Sequence, residues 1–105
     1  MTEPLQSGDS ALVLGFGLYG QAVTEALVNR GVMVTVIEDR PTDTSAERAM
    51  GLGAGFLAAP DSDVITSAMR ASHVFLPSPG VPEQHPAFAI AAEGDTPIIL
   101  SLIHI

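Results

Sequence analysis

The sequence predicts an α/β domain built on a parallel sheet. Short, almost wholly apolar runs alternate with segments of helical periodicity. The first apolar run passes through a glycine-rich turn straight into a helix. The runs also lack the in–out alternation of a half-exposed strand, so they read as strands buried on both faces.

Each element follows from local pattern. ALVLG, residues 11–15, is a buried strand ending at glycine. Leu18 to Asn29 carries apolar residues at Leu18, Ala22, Val23, Ala26 and Leu27, a helical spacing, and Gly31 is its stop. VMVTVIE, 32–38, is β-branched and forms the second strand, ended by Pro41. Thr44 to Leu52 is a helix with Gly51 and Gly53 at its end. AGFLA, 54–58, is a weaker third strand, and Asp61 or Ser62 caps a helix reaching about Arg70. HVFLP, 73–77, is the fourth strand. Pro86 opens a helix through Ala92, with Gly94 beyond it, and TPIILSLI, 96–103, is a fifth apolar run. The expected architecture is a Rossmann-like parallel sheet of about five strands, order 3-2-1-4-5, with flanking helices and right-handed crossovers. The folded domain is expected over residues 10–100, after a flexible leader at 1–9.

Composition narrows the function. The 105 residues have a formal charge of −8, no cysteine and no lysine. The four basic residues, Arg30, Arg40, Arg48 and Arg70, are scattered and offer no footprint for nucleic acid. A disulfide framework and thiolate metal sites are excluded, and the three histidines have no ligand spacing. No apolar run approaches the roughly 20 residues of a membrane span. The overall field repels anions, so a phosphate would have to be held by local dipoles.

Three loops should meet beyond the carboxyl ends of the strands, at the switch point between strands 1 and 4. The first, Gly15-Phe16-Gly17-Leu18-Tyr19-Gly20, has the spacing of a dinucleotide fingerprint between a strand and a helix. Gly15 permits the tight turn, Gly17 the approach of a phosphate, and Gly20 close helix–strand packing. The second is Glu38-Asp39-Arg40. Glu38 falls 18 residues after Gly20, where a ribose-binding acid belongs, and Arg40 can stack on a base or pair with a phosphate. For Asp39 a binding role and a solvated strand end weigh equally. The third is Pro77-Ser78-Pro79-Gly80-Val81-Pro82, followed by His85-Pro86. Four of the chain's eight prolines lie in residues 75–88. Pro79-Gly80 predicts a type II turn with positive φ at Gly80, and a loop fixed by prolines loses little entropy on binding. His73 reads as structural and His85 as a helix cap. Asp61 and Asp63 read as helix-start acids rather than a catalytic pair.

The strings VLGFGLYGQAV (13–23), VTVIEDRP (34–41) and PSPGVPEQHPAF (77–88) occur in the order and at the spacing of one known family. Over residues 11–100 the chain resembles the N-terminal domain of the Mur ligases, most closely those that add D-glutamate. The proline-rich string is the specific part of the likeness. The resemblance implies a cytoplasmic, monomeric peptidoglycan-precursor enzyme that joins D-glutamate to UDP-N-acetylmuramoyl-L-alanine, using ATP and Mg²⁺ through an acyl-phosphate. It implies that this domain holds the UDP moiety. The diphosphate would lie against Gly15, Gly17, Leu18, Tyr19 and Gly20, the uracil end at Glu38, Asp39 and Arg40, and the nucleotide would be flanked by Ser78, Pro79 and Gly80.

Two departures from the family stand out. Tyr19 replaces a small hydroxyl residue. Residues 101–105, Ser-Leu-Ile-His-Ile, replace an acidic strand end, which suggests a truncated reading frame. The 105 residues contain no Gly-x-x-x-x-Gly-Lys-Ser/Thr loop for ATP, so no ligase activity and no bound cofactor are expected of them alone. The competing expectation is a small NAD(H)-binding regulatory domain, which the glycine loop and Glu38 fit equally well. A third is a folded scaffold that binds neither.

Overall fold

The computed structural model describes residues 6–99. Its elements run β1 (Ser10–Leu14), α1 (Leu18–Asn29), β2 (Met33–Glu38), α2 (Asp43–Leu52), β3 (Gly55–Ala58), α3 (Ser62–Arg70), β4 (Val74–Pro77) and α4 (Pro86–Glu93). Strand and helix alternate throughout, and α1 has the bounds its periodicity predicts. The strands form one sheet in the order β3-β2-β1-β4, and every neighbouring pair is parallel.

Among the described residues the expected five strands are four. Of the fifth apolar run, residues 96–99 are described. They lie beside β4 but form a single bridge, Phe75 with Ile98. Two hydrogen bonds carry it, from Phe75 N–H to the Pro97 carbonyl and from Ile99 N–H to the Phe75 carbonyl, each 2.9 Å. Pro97 has no N–H to donate to a ladder, which limits pairing at the start of this run. Residues 100–103 of the run, and the tail at 101–105, lie outside the described residues.

The period of two along β1 explains how one strand serves two cores. Ala11 and Val13 face the layer of α1 and α2, where Val23, Leu27 and Ala49 are buried with them. Leu12 and Leu14 face the layer of α3 and α4, among Ile65, Met69, Ala87 and Ala91. In that second layer Phe75, fully buried, meets Phe88 edge to face at 5.5 Å. Among the described residues no helix is long and apolar enough to cross a membrane.

Helix ends follow their sequence signals. Asp61 caps α3 by accepting from Val64 N–H at 3.0 Å. Thr42 and Ser45 form a reciprocal capping box at α2, and Gly53 closes that helix in the left-handed conformation, φ +89°. Pro86 occupies the first turn of α4, as expected. Within the expected leader, residues 6–9 make a turn: Asp9 N–H donates to the Gln6 carbonyl and Gly8 N–H to that of Gly31, both at 3.0 Å. His73 is structural, as expected. Its Nδ1 accepts from Ser10 N–H at 3.0 Å, which ties the amino ends of β1 and β4.

Candidate functional site

The strand order reverses between β1 and β4, and there the three loops converge. Extensions of the sheet ladder seat two of them. Gly15 N–H donates to the Ile37 carbonyl at 2.8 Å, and Ser78 N–H to the Leu14 carbonyl at 2.9 Å. The first loop is thereby fixed to β2 and the third to β1.

The glycines of the first loop differ in what holds them. Gly15 has φ +93°, a conformation that L side chains rarely adopt. A Cβ on Gly20 would collide with the carbonyl group of Gly15, so α1 rests directly on the loop's own backbone. Gly17 is different. Its φ of −75° suits any residue, and a Cβ there would have nothing within 4 Å. Gly17 is the residue before α1 and supplies no side-chain cap. The first N–H groups of the helix, at Leu18, Tyr19 and Gly20, therefore keep the unsatisfied donors and partial positive charge of a helix start. Leu18 is 88% exposed. Tyr19 packs against the core beneath α1, so what it offers at the loop is its backbone.

Side-chain hydrogen bonds link each pair of loops. Glu38, half-buried, accepts from Phe16 N–H at 2.9 Å through Oε1 and from Arg40 N–H at 3.1 Å through Oε2. It thus joins the second loop to the first. Ser78 Oγ donates to the Gly15 carbonyl at 3.1 Å and joins the third loop to the first. Asp39 Oδ2 lies 2.7 Å from His85 Nε2 and joins the second loop to the third. The Ser78 carbonyl accepts from Val81 N–H at 3.2 Å and Gly80 has φ +92°, the turn that Pro79-Gly80 predicts. Arg40, Pro79 and Gly80 are exposed at the rim.

The sequence-predicted residues therefore come together at one end of the sheet. The structure adds what the sequence reading did not contain: Glu38 and Ser78 hold the loops to one another, and His85 belongs to the site as well as to its helix. The signal for His85 was present in His-Pro at a helix start, but its partner lies 46 residues away. Beside the second loop an open hollow of about 500 Å³ is lined by Pro41, Thr42, Asp43, Ala46, Glu47 and Phe56. A second hollow of similar volume lies at the opposite end of the sheet, against Arg70 and His73, away from these loops.

Removing the Glu38 carboxylate leaves two backbone donors without their partner. We expect Glu38→Ala to lower unfolding free energy by about 1–2 kcal/mol, read from urea denaturation, with the larger share from the partly buried Phe16 N–H. An unchanged midpoint would mean that Glu38 does not hold the glycine loop.

No family model matches the chain. A UDP-N-acetylmuramoylalanine–D-glutamate ligase of Syntrophus aciditrophicus (strain SB) is 31% identical over 97 residues. These cover 91% of this chain and 21% of the ligase, so the chain spans about a fifth of that relative's length. The likeness to the D-glutamate ligases read from the sequence motifs is therefore present along nearly the whole chain. Among solved structures, saccharopine dehydrogenase from Saccharomyces cerevisiae superposes with a TM-score of 0.69 at 20% identity, over 90% of this chain and 23% of that one. BdcA, in complex with NADPH, superposes with a TM-score of 0.67 at 18% identity, over 89% of this chain and 48% of that one. These two share the Rossmann-like fold.

Proposed function

We propose that this chain, similar over nine-tenths of its length to a D-glutamate ligase, is the UDP-substrate-binding domain of a Mur ligase. In the full enzyme it would present UDP-N-acetylmuramoyl-L-alanine for ATP-dependent joining to D-glutamate. The observation that carries this reading is the pairing of an uncapped α1 start with a proline-fixed third loop bonded to Gly15. Together they form a rigid rim around a set of free backbone donors.

The chemistry of each part fits a nucleoside diphosphate sugar. The helix start offers N–H groups and a positive dipole end to a diphosphate, in a chain whose net charge of −8 repels anions overall. Gly17 leaves space for the phosphate to reach those groups. Arg40, exposed beside the second loop, can stack on a base. Each oxygen of Glu38 accepts one N–H, which leaves acceptor capacity for a sugar hydroxyl. The 105 residues contain no phosphate loop with its lysine, so they provide no donor set for the ATP and Mg²⁺ that the reaction would need.

The position of Glu38 supports a second reading, an NAD(H)-binding regulatory domain, because an acid there can also accept from an adenosine ribose. One experiment separates the two. Two-dimensional amide NMR of the chain is titrated with UDP-N-acetylmuramoyl-L-alanine and, separately, with NADH. We expect Leu18, Tyr19, Arg40 and Gly80 to shift with the UDP compound alone. Shifts with NADH alone would replace the first reading by the second. A well-dispersed spectrum indifferent to both would reject both.

A further inference from the structure

The His85–Asp39 contact has a geometry that helix capping alone does not require. His85 precedes α4, and its Nδ1 accepts the N–H of Ala87 at 3.1 Å, as the oxygen of an asparagine cap would. A nitrogen that accepts carries no proton, so the ring proton sits on Nε2. That nitrogen lies 2.7 Å from Asp39 Oδ2, a short bond to a carboxylate. The ring is mostly sheltered, 11% exposed, while Asp39 is half exposed. One imidazole thus sets the start of α4 with one nitrogen and holds the second loop with the other. Pro86 behind it and the His85 N–H bond to the Pro82 carbonyl, 3.0 Å, fix where the ring stands.

We propose that His85 and Asp39 are a positioning pair. Their bond sets the separation of the second and third loops across the nucleotide site, and the carboxylate of Asp39 serves this tie rather than contacting ligand. With the Glu38 and Ser78 bonds it closes the three loops into a ring. The Glu38 and Ser78 ties both end on the first loop. Only the His85–Asp39 tie spans the opening between the other two, so it governs how wide the site stands. The ligand consequence rests on the nucleotide-binding reading above; the loop geometry does not.

The two roles of His85 separate by substitution. The Oδ1 of asparagine occupies the place of Nδ1, so His85→Asn keeps the helix cap and removes the tie. The terminal amide of glutamine reaches the place of Nε2, so His85→Gln keeps the tie and loses the cap. Asp39→Ala removes the tie at an exposed residue and leaves the folded core untouched.

Three readouts on the whole chain test the pair. Long-range ¹H–¹⁵N spectra should show the Nε2–H tautomer of His85 in the wild type. Amide exchange at Arg40 and Val81 should quicken by about five- to tenfold in His85→Asn and in Asp39→Ala, the loss of roughly one hydrogen bond. The double variant should be no faster than either single, because both remove the same bond. His85→Gln should exchange like the wild type at these amides while melting earlier. The dissociation constant for UDP-N-acetylmuramoyl-L-alanine should rise by a similar factor in His85→Asn and stay near the wild-type value in His85→Gln. Unaltered exchange in both single variants, or additive effects in the double, would overturn the pair. A wild-type chain that does not bind the UDP compound would reject the proposed function, and the exchange data would still decide the tie.

Discussion

Gly20→Ala should abolish folding of the isolated chain. A Cβ at this position meets the Gly15 carbonyl oxygen inside any permitted separation, with the Gly15 carbonyl carbon at 3.0 Å and Ser78 Oγ at 3.4 Å. The first two obstacles are backbone, and that backbone cannot retreat. Gly15 is held by its N–H bond to Ile37 and by the Ser78 hydroxyl on its carbonyl. Relief requires α1 to lift from the sheet, which would open the core around Val23 and Leu27. We expect a loss of at least about 4 kcal/mol, comparable to the whole stability of a small domain. Circular dichroism and a urea titration would measure it. A cooperative transition within about 1 kcal/mol of the wild type would show that helix and loop are not in the contact described.

Gly17→Ala, three residues earlier in the same motif, should do the reverse. Its backbone suits alanine and its Cβ would meet nothing. Losing glycine freedom in the unfolded chain stabilises by about 0.4–1 kcal/mol, while alanine is a poorer residue before a helix by a similar amount. The two effects nearly cancel, so stability should stay within about 1 kcal/mol of wild type. Binding should suffer instead. In the proposed site the methyl group stands where a phosphate approaches the helix start. Displacing one or two charge-assisted hydrogen bonds weakens affinity by about 10- to 100-fold. Calorimetric titration with UDP-N-acetylmuramoyl-L-alanine measures this. Unchanged affinity would mean that no phosphate reaches the Gly17 side of the loop. The two glycines of one motif should thus be separable, Gly20 by its effect on stability and Gly17 by its effect on binding.

Much of the fold was legible because its causes are local. The bounds of α1 follow from apolar spacing, the cap at Asp61 from one side chain reaching the third residue on, and the turn at Pro79-Gly80 from the φ values of two residues. The convergence of three loops was legible too, because right-handed parallel crossovers allow little choice about which end of the sheet they share. The fifth strand was not. Its apolar run satisfies the pattern, yet among the described residues 96–99 it makes a single bridge to β4, where Pro97 has no N–H to donate.

By itself, then, the sequence determined the order and type of the eight described elements, the cap at Asp61, and a glycine loop and a proline loop set at the ends of parallel strands. It also determined the net charge of −8, against which any anion would have to be held by local dipoles. Only the tertiary structure decided how those loops are joined. Phe16 to Glu38 spans 22 residues, Asp39 to His85 spans 46, and Gly15 to Ser78 spans 63. No periodicity or propensity acts over such separations. These bonds exist because the buried strands bring distant loop ends within 3.1 Å of one another, where a carboxylate, a hydroxyl and an imidazole can reach across.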